Sequence, residues 1–209
     1  RPNPNGFYID GPILDLKFKS FIGMHRVPVV HGMTIGEYSK MINEEGWLNE
    51  DNKCLLTVIP CLNYSHSSRY ILPIPPSPNL PNMRSIYLYP SLCFFEGTNI
   101  SIGRGTDFPF QVYGAPYFNK KLFKFTPKAT YGAKNPKHKS VDCYGKDLRA
   151  ISLDSLENIN SLNFSWLIKS YNISNESINF FNKNSFFNLL AGTDKLMNLI
   201  KGGANDSQI

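Results

Sequence analysis

Between Leu72 and Pro81, five of ten residues are proline. Each proline locks φ at about −65° and removes a backbone donor, so neither a helix nor a central strand can cross this passage. Only Ser77 and Asn79 bring polar side chains, and apolar residues flank the run. It is therefore expected to pack as a rigid wall and not to act as a free spacer.

The flanking segments carry clearer signals. Residues 1–19 read as loop with short extended pieces, and Phe21-Ile22-Gly23 as a brief strand. Thr34-Ile35-Gly36-Glu37 is a capping box, predicting a helix over 35–45 that ends near Gly46. The apolar run Cys54–Ile59 reads as a buried strand. After the prolines, a short helix is expected from about Asn82, carrying Ile86, Tyr87 and Leu88 until Pro90 kinks or ends it. Residues 108–131 look extended and aromatic, and Val141–Leu153 reads as another strand. Leu162, Trp166, Leu167 and Tyr171 fall on one helical face. Phe186–Leu190 and Leu196–Ile200 suggest two further helices, the second capped by Thr193 or Asp194. The order is mixed, so the expected class is α/β or α+β.

Composition excludes some classes. An aromatic fraction of 13% is too high for a disordered chain. No stretch of 18 apolar residues occurs, so no membrane-spanning segment is expected. The four cysteines lack a C-x-x-C pair and the histidines are scattered, so no metal site is expected. A Cys54–Cys61 disulfide is open, with buried free thiols favoured. The opening Arg1-Pro2-Asn3-Pro4-Asn5-Gly6 is loop chemistry without a leader pattern, and Arg1 reads as a cut point that leaves the compartment undetermined. Residues 117–149 hold nine lysines and arginines against two aspartates, a surplus of seven that accounts for the net charge of +6. This is either an anion-binding surface or, the favoured reading, a solvated lysine-rich loop region. No nucleic-acid motif supports nucleic acid as a partner.

Chemistry concentrates in Glu96-Gly97-Thr98-Asn99-Ile100-Ser101-Ile102-Gly103-Arg104-Gly105-Thr106-Asp107. Glycines allow close backbone approach, and Arg104 offers a planar fork for a carboxylate or phosphate. The spacing matches neither phosphate-loop nor dinucleotide fingerprints. A Glu96–Arg104 pair holding a tight turn is the structural alternative. Glu96, Asn99, Ser101, Arg104 and Thr106 are candidate site residues. His31, just before a helix N-terminus, and Asn79, in the proline frame, are two more.

These residues also carry a resemblance. In order stand Arg1-Pro2-Asn3-Pro4, Gly11-Pro12, Ser20-Phe21-Ile22-Gly23, His31-Gly32-Met33-Thr34-Ile35-Gly36-Glu37, Pro76-Ser77-Pro78-Asn79-Leu80-Pro81, Tyr89-Pro90 and Glu96-Gly97-Thr98-Asn99. Ser101, Gly103-Arg104-Gly105-Thr106, Pro109-Phe110 and Gly114-Ala115-Pro116 follow. Together they resemble the NamZ-type exo-β-N-acetylmuramidases, glycoside hydrolase family 171. Cys61-Leu62-Asn63-Tyr64 through Arg69-Tyr70 is similar to the Bacteroidetes version. The likeness is strong over residues 1–118 and weaker beyond, and Tyr89-Pro90-Ser91 departs from the commoner Tyr-Pro-Gly.

The resemblance implies a Rossmann-like N-terminal domain followed by a smaller α/β domain, with the active site in the cleft between them. Residues 1–19 would be the tail of the first, and residues 20–209 the second, trimmed at its end. The family's catalytic glutamate lies in a Gly-Pro-Glu-His-Gly motif that this sequence lacks, so the main acid is expected upstream of Arg1. Glu96 is then expected in a secondary catalytic role. Asn99, Ser101, Arg104, Thr106, His31 and Asn79 would bind a muramyl glycan or muropeptide without cofactor or metal. The partner would be the Rossmann-like domain of the same protein. The parent would release terminal N-acetylmuramic acid from peptidoglycan fragments, in the periplasm or at the cell surface, whereas a noncatalytic glycan-binding module is the alternative.

Overall fold

Local signals near the start of the chain form small elements that the rest of the fold pins down. The computed structural model describes residues 6–48, 52–174, 179–205 and 208. Strand β1 (Asp10–Ile13) pairs antiparallel with β2 (Pro28–Val30). The Asp10 carboxylate accepts from the Leu162 backbone N–H at 2.6 Å, tying this hairpin to the last third of the chain. Phe21-Ile22-Gly23 is a turn, not the expected strand: Ser20 and Gly23 exchange backbone bonds of 2.8 and 3.1 Å, and Phe21 is 88% exposed. Because Ser20 and Gly23 pair with each other, Phe21 and Ile22 become the corner of the turn and are not available to a strand.

Helix α1 (Ile35–Glu44) forms where the capping box predicts it. The Thr34 hydroxyl accepts from the Glu37 N–H, and the Glu37 carboxylate accepts from the Thr34 N–H at 2.7 Å. The expected buried strand over Cys54–Ile59 is absent. That segment runs exposed beside α1, its Cys54 backbone clasped on both sides by the Asn43 amide at 2.7 and 3.0 Å. Five apolar residues around Thr57 carry no period of their own, and without a pairing strand they have no ladder to join.

The proline run is likewise no packed wall. Residues 71–76 are exposed, and only Asn79 and Leu80 are buried. Proline needs no donor partner, so a polyproline-like path is at home in water. The anchor is the Ser77–Leu80 turn, closed by a 2.9 Å backbone bond.

Helix α2 (Met83–Leu92) begins at Asn82, whose side chain accepts from the Ser85 N–H at 3.0 Å. Pro90 falls in its last turns, and the chain tightens into a 3-10 helix at Cys93–Gly97. Seven of ten α2 residues are buried, so the helix is sheathed on most sides. Phe94 packs on Phe164 and Phe187, and Phe95 stacks on Tyr113.

Strands β3 (Val112–Ala115), β4 (Phe123–Phe125) and β5 (Cys143–Asp147) form an antiparallel sheet in the order β3-β5-β4. Helices α3 (Leu153–Glu157), α4 (Ser165–Ile173), α5 (Phe186–Ala191) and α6 (Lys195–Lys201) complete the mixed α/β fold expected from the sequence. Thr193 Oγ1 accepts from the Lys195 N–H at 3.2 Å at the start of α6. Gly97 lets α5 press close, because a Cβ there would stand 2.5 Å from the Phe187 Cα. Among the described residues all four cysteines are free: Cys93 and Cys143 are buried, Cys54 and Cys61 exposed.

Candidate functional site

The glycine-punctuated stretch leaves the 3-10 helix as a chain of tight turns. The Thr98 hydroxyl donates to Phe95 O and accepts from the Ile100 N–H. Ser101 and Gly114 exchange two 2.9 Å backbone bonds, fastening the stretch to β3. The Thr106 hydroxyl donates to Gly103 O at 2.7 Å and accepts from the Phe108 N–H at 3.2 Å, closing the turn that carries Arg104. Gly103 and Gly105 have φ of +75° and +82°, and a Cβ on Gly105 would meet Lys128 O at 2.3 Å. Only glycine fits such a turn.

That turn presents Arg104 to Glu96. The guanidinium pairs with a Glu96 carboxylate oxygen and lies 5.0 Å from the Phe110 ring centre. The pair is not sealed: the Arg104 and Glu96 side chains are 34% and 22% exposed. Arg104 Nε is buried and has no hydrogen-bond partner among the described residues. A buried orphan donor is costly, which makes it conspicuous beside a cavity.

The cavity is about 330 Å³, near the lower end of the ~300–1,000 Å³ usual for small-molecule sites. Glu96, Ser101, Arg104 and Phe186 line it on one side, with Ile100 and Ile102, and residues 132–137 form the opposite wall. Asn79 Nδ2 holds that wall by donating to Gly132 O at 2.7 Å. The Lys137 ammonium secures its other end, donating to Phe95 O at 3.0 Å, to Glu96 O at 3.4 Å and to Thr98 O. Burial pulls the Lys137 pKa down to about 8; the Glu96 charge opposes this and the Arg104 charge adds to it. His138 Nε2 meets Asn99 O at 2.6 Å, and burial lowers its pKa, leaving the ring neutral at neutral pH.

The candidates thus divide. Glu96, Ser101 and Arg104 share the cavity. Thr106 shapes the turn behind them. Asn99 has its amide engaged: Nδ2 donates to Asn179 O at 3.0 Å and Oδ1 accepts from the Tyr117 hydroxyl at 2.7 Å. Asn79 stands behind the wall. His31 lines a different, larger cavity of about 500 Å³ and stacks on Tyr38. Among the described residues no Asp, Glu, Lys or Arg lines that larger cavity, so it offers no carboxylate for acid–base work. Lys134 and Lys137 were visible only as part of the basic stretch 117–149, and Phe186 only as the start of a helix. Their place in this cavity depends on segments distant along the chain. Much of the lysine-rich stretch is solvated, as favoured; Lys124 pairs with Asp142, and Arg149 pairs with Asp147 and covers Phe108. No group of three potential metal ligands occurs, and no helix is long and apolar enough to cross a membrane, among the described residues.

Comparison with known proteins decides the family. The model for the N-terminal part of exo-β-N-acetylmuramidase NamZ matches residues 1–84, and the model for its C-terminal part matches residues 87–209. The chain belongs to the NamZ family. This NamZ-family chain is 33% identical to the peptidoglycan β-N-acetylmuramidase NamZ of Bacillus subtilis (strain 168), over 100% of its own length and 53% of the relative's. It therefore spans about half the length of that curated relative. A DUF1343 family protein of Bacteroides fragilis NCTC 9343, solved by crystallography, shares 50% identity at a TM-score of 0.93, over 100% of this chain and 58% of that one. A second DUF1343 family protein from the same organism, at 22% identity and a TM-score of 0.76 over 96% of this chain and 57% of that one, shows the fold alone. The seam between the two NamZ models falls at α2, where both segments contribute to one apolar core containing Tyr8, Val30 and Leu80 as well as Phe94 and Phe95.

Proposed function

We propose that this chain is the substrate-binding side of a glycoside hydrolase whose whole protein releases terminal N-acetylmuramic acid from peptidoglycan fragments. The observation that carries the reading is the Glu96–Arg104 pair at an open cavity, in a member of the NamZ family. Hydrolysis needs one acid to protonate the leaving oxygen and a second carboxylate on the water or nucleophile side. In this reading the acid comes from a Rossmann-like domain of the same protein. Glu96 orients or activates the second reactant. Arg104 grips the lactyl carboxylate with the fork edge that Glu96 leaves open, and Ser101 takes a sugar hydroxyl. Asn99, Thr106 and Asn79 keep the walls in place. The chemistry requires no metal or organic cofactor. In this reading the parent works in the periplasm or at the cell surface, and fractionation followed by immunoblotting separates that from a cytoplasmic recycling role.

The experiment is incubation of the full-length parent with a chromogenic β-N-acetylmuramide. Release of the chromophore is expected, and an intact substrate refutes the reading. A second reading, a glycan-binding module without catalysis, rests on the same open cavity beside Arg104. It predicts that the full-length parent binds the muramide and never cleaves it.

A further inference from the structure

Resting on the reading of this cavity as the sugar site, we propose that Lys137 is its specificity-determining cation. Its charge biases the cavity toward a sugar bearing a carboxylate over the neutral N-acetylhexosamine of the same ring. The charge inventory points there. Glu96 and Arg104 neutralise each other as an ion pair. Lys137 lines the same cavity, and among the described residues its ammonium is bound by the backbone carbonyls of Phe95, Glu96 and Thr98 and by no side chain. Carbonyls are dipoles without net charge, so they stabilise the ammonium and leave its positive charge uncancelled. The other groups near it do not cancel it either. His138 is neutral at neutral pH, and Lys134 is also cationic but stands at the exposed rim, where solvent and salt screen it. A part-buried charge acts through a lower effective dielectric than a rim charge and is felt more strongly by a ligand in the cavity.

Lys137 need not touch the ligand; it acts through the field it sets up around the Arg104 fork. Its depressed pKa, about 8, gives this field a sign that can be checked. The group is protonated below that value, so preference for an acidic sugar is present at neutral pH and fades as pH rises through it. The carboxylate of the ligand is ionised throughout this range and contributes no pH dependence of its own.

The test is titration calorimetry of the full-length parent with N-acetylmuramic acid and with N-acetylglucosamine, at about pH 7 and about pH 9.5 on either side of the Lys137 titration. Wild type should favour the acidic sugar by about tenfold or more at neutral pH, the size expected of one nearby charge. That preference should drop severalfold at the higher pH. Lys137→Met should lose it at both pH values, bringing the ratio of the two affinities close to one whatever the loss of its three carbonyl bonds costs both sugars. Lys137→Arg should keep it at the higher pH, because a guanidinium stays charged. Lys134→Ala should change it less than Lys137→Met does, because solvent and salt screen the exposed charge. A wild-type preference that ignores pH, or a Lys137→Met variant that keeps the wild-type ratio or weakens both sugars alike, overturns the proposal and reduces Lys137 to a clasp. If Lys137→Met does not fold, the wild-type and Lys137→Arg pH profiles decide. Wild type that binds neither sugar sinks the cavity reading itself, whereas tight muramic acid binding indifferent to Lys137 sinks only this inference.

Discussion

Arg104 holds one bond that satisfies it and one donor that nothing satisfies. Its fork neutralises Glu96, while Nε stays buried without a partner among the described residues. A salt bridge kept only for structure would be expected to use that donor as well. Glu96→Gln separates the two roles open to the carboxylate. If Glu96 takes part in proton transfer, the full-length parent should lose on the order of 10²–10⁴-fold in kcat. N-acetylmuramic acid binding should hold or tighten, because the Arg104 charge is no longer cancelled. Steady-state kinetics beside calorimetry measures both quantities, and equal loss in each would assign Glu96 to positioning alone.

Loops at the element scale are fastened by few contacts, and one fastening is tuned to pH. The segment 52–72 is held against α1 by the Asn43–Cys54 clasp and by His66 Nε2 on Glu37 Oε1 at 2.8 Å. Arg69 adds a 2.9 Å pair with Glu157. The His66 bond, and then the Thr34 N–H, hold the Glu37 pKa down to about 2, while the same Glu37 carboxylate raises that of His66. The lowered Glu37 pKa contributes above the ordinary carboxylate range and is lost as pH falls toward about 2. The raised His66 pKa contributes below the ordinary imidazole range and is lost as pH climbs through its folded value. The latch is thus tightest in mildly acidic solution. Limited proteolysis within 55–64 should run a few-fold faster at about pH 8 than at about pH 6, and His66→Gln should erase the difference. Equal rates in wild type at the two pH values would show that the other fastenings hold the loop alone.

Taken as a whole, the molecule has an uneven surface. Phe21, Ile35, Leu55, Ile59, Leu62 and Ile71 all lie open to solvent. Phe21 and Ile35 share the lining of one cavity, and large apolar groups exposed side by side mark an interaction face. If the rest of the parent covers them, this 209-residue chain by itself should bind a hydrophobic dye such as anilinonaphthalene sulfonate several-fold more strongly than the full-length protein does. Fluorescence titration of both decides it, and equal dye binding would mean the face stays open in the parent.

The legible features of the sequence were those complete within a few residues. The Thr34 capping box, the Asn82 helix start, the helices around Gly192 and the turn that sets Arg104 opposite Glu96 all rest on local hydrogen bonds and allowed φ. The ordered family signature was legible for the same reason, being written in contiguous motifs. Burial was not legible: Cys54–Ile59 and residues 71–76 of the proline-rich passage read as packed segments yet are largely exposed, because packing depends on which partner arrives from elsewhere. Nor was the membership of the cavity. His31 belongs to another cavity, and Lys137 joins Glu96 only because long-range packing brings residues 93–104, 132–137 and 186 together. Local propensity sets the pieces; the juxtaposition of distant segments, which no short window of sequence encodes, sets the charge and shape of the site.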